Sequence, residues 1–285
     1  MLGRRGLLKF VAGPPFLVLA AFFVVPLVLI AVFSLRAGSG AIGPAQPLVF
    51  TTEQYADVFG TPAFLRLLGV SVLVATLVAA LSTLLAFPVA YFLNFRAGRR
   101  APLYLTLLLL PFAVSYLLRV MAWKVMLGPG GINSLLIAVG LTDEPLQLLL
   151  YSRPAVIVTL VYVWIPFAAL PIYAAMQRID RHQLEAAADL GAGPWARLWR
   201  VTVPLSLPGV LATFFLVFIP TVGEYVTPSL VGGTEGIMYG NTIQGFFTRS
   251  ANWPLGAAMA MVMLVLTLVL VAVALRVIDL RRVTG

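Results

Sequence analysis

Residues Ile179 to Leu205 read IDRHQLEAAADLGAGPWARLWRVTVPL, a polar stretch set between two long apolar ones. The order predicts helix, break, helix. Asp180 is suited to cap a first helix, and Gln183, at its third helical position, completes a capping-box pattern. Leu184, Ala187 and Ala188 fall on one helical face, small enough to slide into a partner's groove. Gly191 tolerates the left-handed conformation that ends a helix, and Pro194 suits the first turn of the next. Trp195, Leu198 and Trp199 make that second helix amphipathic before Pro204 opens a new apolar span. Amphipathicity alone would make the stretch a loop helix lying on a membrane surface.

The residue order is more specific than amphipathicity. Glu185-Ala186-Ala187, three residues, Gly191, nine residues, Val201, one residue and then Val203-Pro204 resembles the EAA loop of ATP-binding-cassette importer permeases. Valine at both aliphatic positions is a mild departure that keeps branched apolar character. In that family the loop is a coupling helix seated in a cleft of a cytoplasmic ATPase. The resemblance therefore implies coupling roles for Glu185, Ala186, Ala187, Asp189, Leu190, Gly191 and Pro204.

Outward from this loop the chain is apolar. Its 285 residues are 61% hydrophobic and 10% charged, which excludes an ordinary soluble domain. At roughly 20 residues per span there is room for about six transmembrane helices. The apolar runs fall near 16–35, 67–93, 103–127 (with a kink expected at Pro111), 155–175, 206–226 and 255–275. The organisation expected is a tail, first span and outside connection over 1–66, an importer core over 67–275 holding the loop at 179–205, and a tail over 276–285. Arg4-Arg5 before an apolar run imitates a twin-arginine export signal, but the run is of span length and no small-residue cleavage site closes it, so a retained helix is expected. No cysteine is present, so neither a disulfide framework nor a thiolate metal site is possible.

Charge orients the chain. The segments read as inside hold 13 of the 19 Lys and Arg and four of the ten acids, so the whole formal charge of +9 lies there. The basicity is an orientation signal rather than a nucleic-acid footprint. Both termini and the 179–205 loop are expected on the cytoplasmic side.

Enzymatic constellations are missing. His182 has no second histidine, which argues against a metal site. There is neither a GxSxG elbow nor a GxxxxGK[ST] loop, so any ATP hydrolysis belongs to another polypeptide, and no cofactor is expected. The ionisable residues inside spans are the informative ones, because such groups face a bundle interior or a water-filled cavity. Glu224 lies near the end of the fifth span beside Tyr225, and Arg119 and Lys124 lie in the third. Glu224 pairs with Arg119, or it lines a cation path backed by Tyr225, Tyr116 and Trp123, whose ring faces attract cations. The sequence leaves both open.

A second resemblance joins the first here. RVMAWKVMLGPGGINSLL, IPFAALPIYAAMQRID, VFIPTVGEYVTPSLVGG and NWPLGAA look like the corresponding segments of spermidine/putrescine-type permeases. Related permeases for phosphonates, opines, iron or thiosulfate share parts of them. The likeness implies an all-α, six-span type I importer permease fold in a bacterial inner membrane. It also implies a homologous second permease, two ATPase subunits and an extracytoplasmic solute-binding protein as partners. A proton- or sodium-coupled secondary transporter would leave the 179–205 loop unexplained.

Overall fold

The computed structural model describes residues 13–38, 49–146 and 149–277. The basic positions Arg4, Arg5, Lys9, Arg281 and Arg282, and the tail beyond 277, lie outside these. Among the described residues every regular element is a helix, apart from one antiparallel bridge between Arg36 and Phe50. In chain order they are α1 (Gly13–Ser34), α2 (Glu53–Gly60), α3 (Pro62–Phe95), α4 (Ala101–Leu109), α5 (Tyr116–Leu127) and α6 (Ile132–Ala138). Then come α7 (Arg153–Met176), α8 (Arg181–Asp189), α9 (Pro194–Arg197), α10 (Val203–Val222), α11 (Val226–Val231), α12 (Tyr239–Thr248) and α13 (Trp253–Val277). Six segments are long and apolar enough to cross a membrane: α1, α3, Tyr116–Ala138, α7, Pro194–Val222 and Trp253–Arg276.

The third apolar run departs from expectation. In place of one kinked helix over 103–127, α4 stops at Leu109, a 3-10 turn covers Leu110–Ala113, and α5 restarts at Tyr116. Val114 and Ser115 between them are extended, with ψ of 138° and 141°. Pro111 brings no N–H to the helical ladder, and its ring crowds the preceding turn. Here that interruption becomes a full break.

The chain forms two compact units, one from the described parts of 1–66 with 242–266, the other from 67–241 with 267 onward. In the first, Ser34 Oγ donates to Ala31 O at 2.7 Å and pairs with the Tyr55 hydroxyl at 2.7 Å. Phe33 and Phe247 both stand edge-on to Trp253. Gly256 makes room for this aromatic group, since a Cβ there would lie 3.1 Å from Phe246 Cβ.

In the second unit α3 buries a stripe of mostly small residues: Ser71, Ala75, Val78, Ser82, Ala86 and Ala90. Their spacing of three or four keeps them on one face, and small side chains let helix backbones approach closely within a membrane. The tightest pair is α7 with α10. A Cβ on Gly209 would stand 2.5 Å from Ala175 Cβ and 2.7 Å from Pro171 O. Beside it Thr213 Oγ1 donates to Ala168 O at 3.0 Å, a bond across the two helices. Gly209→Ala should therefore lower stability by about 1–3 kcal/mol, read as a drop in thermal midpoint of the purified protein in detergent. Adding Ala175→Gly should restore part of that loss. An unchanged midpoint in the single variant would mean that the two helices do not approach this closely.

Candidate functional site

Two groups of side chains were expected to act, and both lie in the second unit. The first is the loop after α7. Asp180 Oδ1 accepts from the His182 N–H at 3.0 Å and caps α8. No reciprocal bond from Gln183 to the Asp180 N–H forms, so the cap is one-sided rather than a capping box. At the other end Gly191 has φ +85°. Its N–H donates to Ala188 O at 2.9 Å, and the Ala192 N–H donates to Ala187 O at 2.9 Å, closing the last carbonyls of α8. Gly193 is extended and Pro194 opens α9, which runs through a π turn at Leu198–Thr202 into α10. Pro204 sits exposed just after the π turn in the continuous Pro194–Val222 helix, where its missing N–H interrupts the hydrogen-bond ladder.

The face that α8 presents is not the one the small residues suggested. Leu184, Ala187 and Ala188 are half-buried against the chain itself, and α8 packs back on the π turn. Glu185, Ala186, Asp189 and Leu190 point outward, Leu190 with 89% of its surface exposed. Periodicity identifies which residues share a face but not which face turns inward, and the apolar one goes in because it removes more apolar area from water. The outward face is acidic and poorly partnered. The one ion pair among the described residues joins His182 Nδ1 to Glu185 Oε2 at 3.4 Å on the open surface. Asp189 sits at the negative end of the α8 dipole, a placement that costs about 0.3–1 kcal/mol, with no cation within 4.0 Å among the described residues.

The second group surrounds Glu224. Helix α10 ends at Val222, Gly223 follows as its cap, and the chain turns at once into α11. Glu224 Oε1 accepts from the Val226 N–H at 2.8 Å and the Thr227 N–H at 3.1 Å. The carboxylate thus satisfies two donors that the start of α11 would otherwise leave open. The Tyr116 hydroxyl pairs with Thr227 Oγ1 at 2.6 Å and lies beside the Glu224 carboxylate. Tyr225 stands exposed next to it.

Trp123 does not join this cluster, and Arg119 reaches it only through its charge near Tyr116. No ion pair links Arg119 to Glu224; the guanidinium lies over the Phe112 ring, 4.5 Å from its centroid. Its Nε is shielded from water and has no partner. Phe112 in turn packs on Phe167, centroids 4.0 Å apart, while Trp123 packs on Tyr162 at 5.2 Å. Of the two alternatives left open for Glu224, the structural pair with Arg119 is absent.

Two residues not foreseen hold the Glu224 turn. A Cβ on Gly240 would come within 2.6 Å of Gly223 O and 2.8 Å of Glu224 O. Asn241 Nδ2 donates to Tyr225 O at 2.8 Å and Ser229 Oγ at 2.7 Å, while its Oδ1 accepts from the Met238 N–H at 3.0 Å. Tyr239 before them is buried, its N–H donating to Ser71 Oγ at 2.8 Å, and desolvation pushes its phenol up to about 12. The only local signal for this clamp was a glycine-asparagine pair in a glycine-rich stretch, and contacts made across 12 or more residues are not read from spacing.

This arrangement has counterparts of known fold. A bacterial ABC transporter crystal structure, involved in the import of the acidic polysaccharide alginate, matches with a TM-score of 0.75 at 18% identity, covering 100% of this chain and 98% of that one. The MetNI methionine ABC transporter in inward-facing form matches at 0.54 with 19% identity, over 79% of this chain and all of the other. The fold is that of a type I ABC importer permease. The chain belongs to the binding-protein-dependent transport system inner membrane component family, whose model matches residues 82–284. It is a multi-pass protein of the bacterial inner membrane and a transport subunit. Among curated relatives, the spermidine/putrescine transport system permease protein PotB of Haemophilus influenzae is 35% identical over 240 residues, 84% of this chain and 82% of that protein. PotB of Escherichia coli is 34% identical over 212 residues, covering 74% and 76%. The putative 2-aminoethylphosphonate transport system permease protein PhnU of Salmonella typhimurium is 29% identical over 219 residues, covering 76% and 74%.

Proposed function

We propose that this chain is one permease subunit of an ATP-driven importer for a small organic cation, putrescine or spermidine. It pairs with a homologous second permease, with two ATPase subunits on the cytoplasmic side and an extracytoplasmic solute-binding protein opposite. The observation that carries the substrate class is the likeness to spermidine/putrescine permeases over 84% of this chain. The α8 surface supports the ATPase partner. Asp189 has no cation within 4.0 Å among the described residues, Glu185 meets only His182, and Gly191 fixes where the helix stops.

In this reading Glu185 and Asp189 meet basic groups on the ATPase, and Leu190 fills an apolar cleft there. Glu224, Tyr225 and Tyr116 line the cation path, with Arg119 and Trp123 one and two turns further along α5. Uptake of labelled putrescine by the reconstituted complex, driven by ATP and blocked by vanadate, tests the reading. ATP-independent uptake driven by a proton or sodium gradient would overturn it. One observation favours a second substrate: the chain is also 29% identical over 219 residues to a putative 2-aminoethylphosphonate permease. Uptake of 2-aminoethylphosphonate in preference to putrescine would establish that alternative.

The orientation proposed is both termini and α8 inside. The native chain has no cysteine, so single substitutions report cleanly. Glu235→Cys should react with an impermeant maleimide on intact cells, and Glu185→Cys only after permeabilisation. The reverse pattern would invert the topology.

A further inference from the structure

One surface lies beyond the Gly191 turn, apart from the outward acids of α8 and from the Glu224 cluster. Trp195 and Trp199, one helical turn apart where the Pro194–Val222 span begins, are 71% and 54% exposed. Their rings meet edge to face with centroids 5.8 Å apart. Two large indoles left open to this extent are costly in water and are at home at the headgroup level of a bilayer. Arg197 and Arg200 lie on the same two turns. Neither has an ion-pair partner among the described residues, and Arg197 Nε, shielded from water, has no hydrogen-bond acceptor. From Leu190 to Gly223 the chain carries no Asp or Glu. The three acids of the loop (Asp180, Glu185 and Asp189) all precede the Gly191 turn, so the tryptophan end is its basic end.

We propose that Trp195, Trp199 and Arg200 form a binding site for the headgroup of an anionic phospholipid at the root of this span. The indoles sit among the glycerol and upper acyl carbons, and the exposed Arg200 guanidinium holds the phosphodiester, a planar donor fork being suited to phosphate oxygens. The occupant follows from charge complementarity together with position. A neutral interface would use the tryptophans but leave Arg200 without an acceptor, and an ordinary water-facing loop would use the arginine but not the indoles. The proposal does not depend on which solute is carried.

The test uses the chain co-purified with its partner subunits in nanodiscs. Indole fluorescence is quenched by bromine on the acyl chains of either phosphatidylglycerol or phosphatidylcholine, in otherwise identical mixtures. Subtracting the signal of Trp195→Phe/Trp199→Phe isolates this pair from the other three tryptophans. The expected result is stronger quenching by brominated phosphatidylglycerol. The preference should fall about fivefold in Arg200→Gln and persist in Arg200→Lys. Arg200 is exposed, so its replacement leaves the fold intact. Equal quenching by the two lipids would reduce the site to a plain interfacial anchor and overturn the proposal. So would an unchanged preference in Arg200→Gln. A pair that neither lipid reaches would place a protein partner on this surface and overturn it as well.

Discussion

Gly191→Val should leave the chain inserted and assembled while uptake falls by about tenfold or more and ATP hydrolysis continues without it. The left-handed backbone costs an L-residue about 1–2 kcal/mol, and a β-branched side chain is worse placed there than any other. Nothing lies within 4 Å of a Cβ built on Gly191, so volume is not the issue and backbone conformation alone decides. The order of activity among substitutions should then be Asn above Ala above Val, because asparagine visits the left-handed region and valine does not. Asparagine is a larger change than alanine, so an order set by size would run the other way. Uptake and ATPase rates of the three variants in proteoliposomes decide between them. Wild-type uptake by Gly191→Val at normal expression would remove this loop from its coupling role.

Glu224→Gln should yield normal amounts of complex with uptake reduced by about tenfold or more. Glutamine keeps an oxygen that can accept from the Val226 and Thr227 N–H groups, so the turn survives and only the charge goes. Glu224→Ala removes the acceptor too and should cost a further 0.5–2 kcal/mol or so of local stability, as loss of a helix cap does, seen as lower yield. Arg119 does not pair with Glu224, so neither substitution strands a buried cation, and adding Arg119→Gln should rescue nothing. Recovery of both yield and uptake in the double variant would mean that the two residues form a pair in the working transporter, which ends the cation-path reading.

What was legible beforehand was local. Asp180, Gly191 and Pro194 act through their own backbone and side chain, so their roles could be named before any packing was known. The break before α5 was only half visible. Pro111 marks the place, but whether a proline bends or interrupts a helix depends on what the freed segment packs against, and here Phe112 finds Phe167 and Arg119. The outward face of α8 was misread because periodicity carries no sign. The clamp by Gly240 and Asn241 was invisible, since it joins residues that only the tertiary fold brings together.

The contact at Gly209 also bears on how a push would travel. Helix α7 leads into α8, and α10 follows it through α9, so the loop is strapped at both ends to the pair in which Gly209 meets the backbone of Pro171 and Ile172. Such a joint has no slack: there is no side-chain layer to compress, and densely packed interiors transmit strain rather than absorb it. A displacement delivered to α8 therefore enters two membrane-crossing rods together. The prolines within them, Pro166 and Pro171 in one and Pro208 and Pro220 in the other, are the points where those rods can flex.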